Sequence, residues 1–237
     1  MSAELAAPDS VDALYLARGD EVSLRRPTFT GDVFVSTNAG LGGSDSQPAM
    51  FVIVQYPCAL RTNGIHRVRR VLVAEVEPRA PLTLREWNGS YRIMPLPSLR
   101  PESVDSGHYC AAFQNLLVVT PEELDQSERN ACLSDVGVNL LLQRWVHHNS
   151  RAIVQTRVFE ELTARPLAEA EIMEDWVTSR QMLAMPPGKA EAECHAFLRT
   201  VPDGDNLTRQ KALENSRRRA ELRRAVRTHL NVAPPTT

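Results

Sequence analysis

Near Thr120 the apolar pattern of this chain changes period, and no single layer of secondary structure accommodates both halves. Before that point the apolar residues come in short runs rich in Val, Phe and Ile. Residues 21–24, 32–36, 50–56 and 68–76 read as strands, set apart by Pro27, by Gly40, Gly42 and Gly43, and by Asn63-Gly64. The last of these is apolar on both faces at its start, as a central strand requires. Residues 91–94, followed by Pro95 and Pro97, suit an edge strand, because proline cannot donate to an inner ladder. Residues 115–119 close the β-rich part, and residues 11–17, with Ser10 as cap and Gly19 as stop, predict a short helix ahead of it.

After Thr120 the spacing becomes helical. Thr120, Pro121 and Glu123 have the order of an N-cap, a first-turn proline and a capping-box acid. In residues 134–149, Val138, Leu141, Leu142, Trp145 and Val146 form one apolar stripe. Further helices are predicted over 166–183, 190–198 and 208–230, interrupted by Pro186-Pro187-Gly188 and Pro202-Asp203-Gly204. The pattern predicts an α+β protein: a mostly antiparallel β domain over 1–120, then a helical domain over 121–237 that ends in a basic helix.

The 237 residues, 43% hydrophobic, supply one substantial core or two small ones. The longest apolar run, 50–54, is far short of the roughly 18 residues that cross a bilayer, and the first ten residues carry Glu4 and Asp9 in place of a basic leader. These features predict a cytoplasmic, reduced protein without a membrane partner. Cys58, Cys110, Cys132 and Cys194 lie 52, 22 and 62 positions apart, a spacing of no metal or redox motif, and are expected to be buried thiols. No metal and no cofactor is called for: phosphate-loop, nucleophile-elbow, zinc-protease and dinucleotide signatures are absent, and Gly40 to Asp45 precedes a strand, not a helix. Glu171, Glu174 and Asp175 read as a solvated acidic helix face.

The formal net charge of −2 hides an asymmetry. Residues 206–230 hold eight basic residues against two acidic ones, so the rest of the chain carries about −8. A basic end on an acidic body predicts an anionic partner, either nucleic acid or an acidic protein surface, which includes docking on the chain's own body. Three groups of residues are candidates for anion contact. Arg61, Arg67, Arg69 and Arg70, with His66 among them, surround the Asn63-Gly64 turn, and guanidinium groups match phosphate oxygens bidentately. Arg144, His148 and Arg151 fall on one face of the 134–149 helix, flanked by Gln143 and His147; a histidine between arginines is held neutral and can serve as a base. Arg217, Arg218, Arg219, Arg223 and Arg224 crowd the C-terminal helix, whose apolar stripe of Leu222, Ala225, Val226 and Leu230 covers only its second half.

Gly31-Asp32-Val33-Phe34-Val35, a glycine-containing polar loop and then Met50-Phe51-Val52-Ile53-Val54-Gln55 resemble the opening of the MazF/PemK family of plasmid-maintenance toxins over residues 31–77. The resemblance implies an SH3-like barrel for the β domain and places the chain in a bacterial toxin–antitoxin or antiviral defence setting. It does not carry the family's RNA-cleaving residues: Ala49-Met50 stands where the family has its catalytic arginine, and Arg69-Arg70 where it has a serine or threonine. The expectation is therefore a nucleic-acid-interacting or assembly protein, in which an oligomer or a larger complex is possible. One alternative is a divergent metal-independent endoribonuclease with His66 or His148 as base. The other is a structural subunit that meets only proteins.

Overall fold

A computed structural model describes residues 4–43, 48–62, 66–100 and 107–231; Asn63-Gly64 and the end of the glycine loop, Ser44 and Asp45, lie outside them. The chain is an α+β protein, 44% helical and 22% strand, with the strands mostly in its N-terminal part. It divides into two compact units, residues 1–23 with 28–162, and residues 24–27 with 163–237.

Unit 1 is built on an antiparallel seven-stranded sheet that curls into a half-barrel, in the order β1-β9-β2-β3-β6-β8-β7. The strands are β1 (Tyr15–Arg18), β2 (Asp32–Ser36), β3 (Ala49–Ile53), β6 (Val71–Pro78), β7 (Ile93–Leu96), β8 (Tyr109–Val119) and β9 (Glu128–Leu133). A separate ladder pairs β4 (Arg61–Thr62) with β5 (His66–Arg67). β6 is inner, as its two-faced apolar pattern predicts, and proline-bearing β7 is the last strand in the sheet. Phe34, Phe51, Ile53, Val71, Val73, Val119 and Leu124 form one core on the sheet.

Several expectations change here. Residues 11–17 form no helix: a 3-10 turn at Asp12–Leu14 leads into β1, because pairing with β9 satisfies that backbone and buries Tyr15. Residues 21–24 find no partner strand, and Leu24 is 90% exposed. The helix begun by the Thr120 capping box, α2 (Pro121–Asp125), lasts five residues before the chain returns to the sheet as β9. The division between compact units accordingly falls not near Thr120 but inside a long helix, at Leu162. α1 (Leu84–Gly89) opens with its own capping box at Thr83, and α3 (Asp135–Ser150) starts at Ser134, whose hydroxyl accepts from the Gly137 N–H. Gly137 is required there, since any Cβ would collide with the Leu14 carbonyl oxygen.

Unit 2 is helical: most of α4 (Thr156–Gln181), then α5 (Pro187–Arg199), α6 (Arg209–Ala212) and α7 (Ser216–Leu230). α4 starts ten residues before Pro166 and carries it internally, at the loss of one backbone hydrogen bond. The expected 208–230 helix is broken, and Asn215 caps α7 through its side chain. Ile172, Met173, Trp176, Val177, Cys194, Leu198, Leu213, Leu222 and Val226 form a second core.

Candidate nucleic-acid interface

The three arginine groups meet different fates. In the first, Arg61 and Arg67 are cross-strand partners on β4 and β5, and Arg67 donates two 2.6 Å bonds to the two carboxylate oxygens of Asp125. That contact holds the Asp125 carboxyl below its usual range, against a smaller opposing effect of burial. Arg69 and Arg70 are exposed in the link before β6, outside the strand predicted from residue 68. His66 is exposed, and among the described residues no hydrogen bond orients it. The first group is thus a surface in which Arg67 is already neutralised.

In the second group the α3 face that sequence spacing assigns to solvent is split. Arg144 turns inward and is fully buried. Its guanidinium donates to the carbonyls of Ala6 at 2.7 Å and Trp87 at 3.1 Å and stands 4.8 Å from the Trp87 ring centre. Burial lowers its pKa to about 10. Beside it, Gln143 accepts from the Ala6 N–H and donates to the Val154 carbonyl. Both residues fasten the N-terminal segment; Arg144 is removed from the set of anion contacts because it is fully buried, with its terminal nitrogens bonded to backbone carbonyls.

The end of α3 has the opposite character. Between Ala74 and Glu75 the β6–β8 register jumps from Leu116 to Ala112, so Phe113, Gln114 and Asn115 bulge out of the ladder. The Phe113 N–H donates to the Arg92 carbonyl, which brings Tyr91 and Arg92, just ahead of β7, against the bulge. Phe113 meets Trp145 edge-on at 5.5 Å and His148 at 5.7 Å, and Trp145 and His148 stack with planes 12° apart. His147 packs edge-on to Tyr91 at 5.3 Å. Arg151, in the left-handed conformation at the C-cap of α3, lays its guanidinium 4.5 Å from the Tyr91 ring centre, with Arg92 at 5.9 Å. Tyr91, Trp145 and His148 are half-buried while Arg92 and Arg151 are exposed, and among the described residues neither arginine has a carboxylate partner. Burial first, then Arg151, and more weakly Arg92, lower the His148 pKa against an opposing hydrogen bond with the Tyr91 backbone, and the net lowering favours the neutral ring. His148 and Arg151 were legible as a pair in sequence. Tyr91 and Arg92 were not, since only the bulge in β8 carries them there.

In the third group, on α7, Arg218 pairs with Asp205 and Arg223 with Glu171, while Arg219 donates to the Leu213 carbonyl at 2.7 Å. Arg217, Arg224 and Arg227 stay exposed. Of Glu171, Glu174 and Asp175 on α4, two are engaged, Glu171 by Arg223 and Glu174 by Arg26. Three cysteines are buried and Cys58 is not, because the 3-10 turn at Pro57–Ala59 turns it outward. Among the described residues no helix is long and apolar enough to cross a membrane.

The chain matches no protein-family model, no curated protein and no solved structure. The functional reading rests on the geometry.

Proposed function

We propose that the protein binds single-stranded nucleic acid at the end of α3, with Tyr91, Trp145 and His148 as a stacking surface and Arg92 and Arg151 as phosphate contacts. The observation that carries this reading is the placement of two exposed guanidinium groups, free of carboxylates, around half-buried rings. An unstacked base lies on such rings, whereas in a duplex the base faces are already occupied. Arg69 and Arg70 add to the positive surface of the same unit.

The test is fluorescence anisotropy of the full chain with a labelled 12-nucleotide single strand, as RNA and as DNA, and with the corresponding duplex, across a salt series. Single strands are expected to bind more tightly than the duplex. Tyr91→Leu, which keeps apolar bulk but removes the stacking face, is expected to weaken binding by about 5- to 150-fold, the range for one base stack. Arg151→Glu should weaken it and flatten its salt dependence. Absence of single-strand binding at low salt, or indifference to both substitutions, overturns the reading.

A second reading, metal-independent RNA cleavage, draws on the neutrality of His148 beside two arginines, which suits a general base. It requires strand breaks in mixed RNA with chelator present, lost in His148→Gln. Intact RNA at high protein concentration removes it.

A further inference from the structure

Unit 2 carries an open groove of about 320 Å³ between α4 and α7. Contact of Arg223 with Glu171 near one end, and of Arg180 with the Leu230 carbonyl near the other, set the two helices side by side and parallel. Ile172, Val226 and Leu230 contribute an apolar floor, and Met182, 80% exposed, forms a lip. From Ile172 to Ser179 the α4 wall runs seven residues, about 10 Å or two helical turns, and Met182 lies just past the helix end. Leu183, next along the chain, is 53% exposed as well.

The two walls differ in charge. The α7 wall offers Arg227, exposed and without an ion pair among the described residues, and Arg223, which is paired with Glu171. The α4 wall carries Asp175 and the hydroxyls of Thr178 and Ser179. A nucleic-acid strand would use the arginines only, would face Asp175 across the groove and would leave the apolar floor wet. A helix with an apolar ridge and acidic residues along one flank satisfies floor and α7 wall together. Met182 is suited to the lip, since an unbranched thioether adapts to the ridge it meets.

We infer that this groove docks an acidic amphipathic helix of a partner protein, ridge on the floor and acidic flank against Arg227. The site is distinct from the nucleic-acid surface of unit 1 and does not rest on it.

The test uses the full chain and a labelled, helix-stapled 14-residue peptide with leucines at i, i+3, i+4 and i+7 and glutamates along one flank. Its counterpart carries lysines in place of the glutamates. The acidic peptide is expected to bind saturably, with a dissociation constant below about 100 μM, and to slow hydrogen exchange in residues 172–182 and 223–230. The lysine peptide is expected to bind at least about tenfold more weakly. Arg227→Glu should reverse that preference. Met182→Gln, at an exposed position where folding is not at stake, alters no charge, and it should weaken the acidic peptide about fivefold or more. A purely Coulombic contact would not respond to it. No saturable binding of the acidic peptide up to about 1 mM, equal binding of the two peptides, or indifference to Met182→Gln overturns the proposal. So does a single-stranded oligonucleotide that gives the same protection in residues 172–182.

Discussion

Among the described residues each unit buries one arginine completely, Arg144 and Arg180, and the two are neutralised in different ways. In unit 2, Arg180 is held by a carboxylate: Glu193 accepts from its Nε at 2.7 Å and its terminal nitrogen at 2.9 Å, and also from the Trp176 indole at 2.9 Å. In unit 1, Arg144 meets only carbonyl dipoles and the face of Trp87. The surfaces repeat the contrast. On α7, Arg218 and Arg223 are spent on carboxylates, whereas Arg92 and Arg151 lie on Tyr91 with their charge uncompensated. A cation paired to a carboxylate is a structural element, while one resting on an aromatic ring keeps its charge for a ligand. The count of arginines in the sequence therefore says less about anion binding than the company each one keeps.

The largest expected effect comes from breaking the unit 2 pair. Glu193→Ala leaves a buried cation without its carboxylate and the Trp176 N–H without an acceptor, and should destabilise unit 2 by about 3–5 kcal/mol. Denaturant unfolding followed by hydrogen exchange in α4 and α5 measures it; a loss below about 1 kcal/mol would mean that water replaces the carboxylate. Burial raises the Glu193 carboxyl's pKa, but hydrogen bonds from Arg180 and Trp176 outweigh this and leave it lowered. The pair's contribution is accordingly present in full above the ordinary glutamate range and is lost as pH falls through the lowered value.

Arg144→Met should cost less, about 2 kcal/mol: the carbonyls of Ala6 and Trp87 lose their charged donor, but an uncompensated buried charge disappears with it. The loss should be concentrated at the N-terminal segment, so faster amide exchange at Ala6, whose N–H donates to Gln143, is the local readout. If Arg144→Met costs as much as Glu193→Ala, the carbonyl cradle equals a carboxylate and the contrast between the units fails.

These two arginines also mark what a sequence conveys. Local signals performed well: the stripe through Val138, Leu141 and Leu142 located α3, the Thr120 capping box located the start of α2, and the Val/Phe/Ile run at 32–36 located β2. Non-local pairing was not legible. Residues 15–18 and 128–133 became partner strands only because each supplies the other's hydrogen bonds, and neither segment announces that alone. Arg144 and Arg151 occupy the same nominal face of α3, at i and i+7. The first is covered by the N-terminal segment and the Trp87 backbone, and the second escapes by the left-handed turn at the helix end. Helical periodicity has no knowledge of either. For the candidate site, it placed His148 with Arg151 but missed Tyr91, whose approach depends on a bulge in a strand.

Arg151→Gly separates charge from fold at the site. Glycine relieves the left-handed backbone at φ 60°, which offsets the lost contact with Tyr91, so stability should change by less than about 1 kcal/mol. Single-strand binding should fall nonetheless. A large drop in melting temperature would make Arg151 a structural cation like those of α7, and unchanged binding would remove it from the interface.

The smallest expected effect is at Arg67, in the first candidate group, which is bonded to the carboxylate of Asp125. Asp125 and Arg67 are 58% and 36% exposed, so water screens their two hydrogen bonds and the pair is worth a few tenths of a kcal/mol to about 1 kcal/mol. Its pH signature has a fixed sign. Because Arg67 lowers the folded-state pKa of Asp125, the stabilisation is complete above the ordinary aspartate value of about 4 and is lost as pH falls below it through the lowered folded value. Asp125→Asn should therefore narrow the gap to the parent chain in acid and leave the small deficit intact at pH 7. The same substitution frees a guanidinium beside Arg69 and Arg70, so if carboxylate pairing is what withholds an arginine from anions, it should raise single-strand affinity in the Tyr91→Leu background, where stacking no longer dominates. Unchanged affinity there would show that pairing is not the discriminating factor, and would break the comparison between the two units at its surface half while leaving its buried half standing.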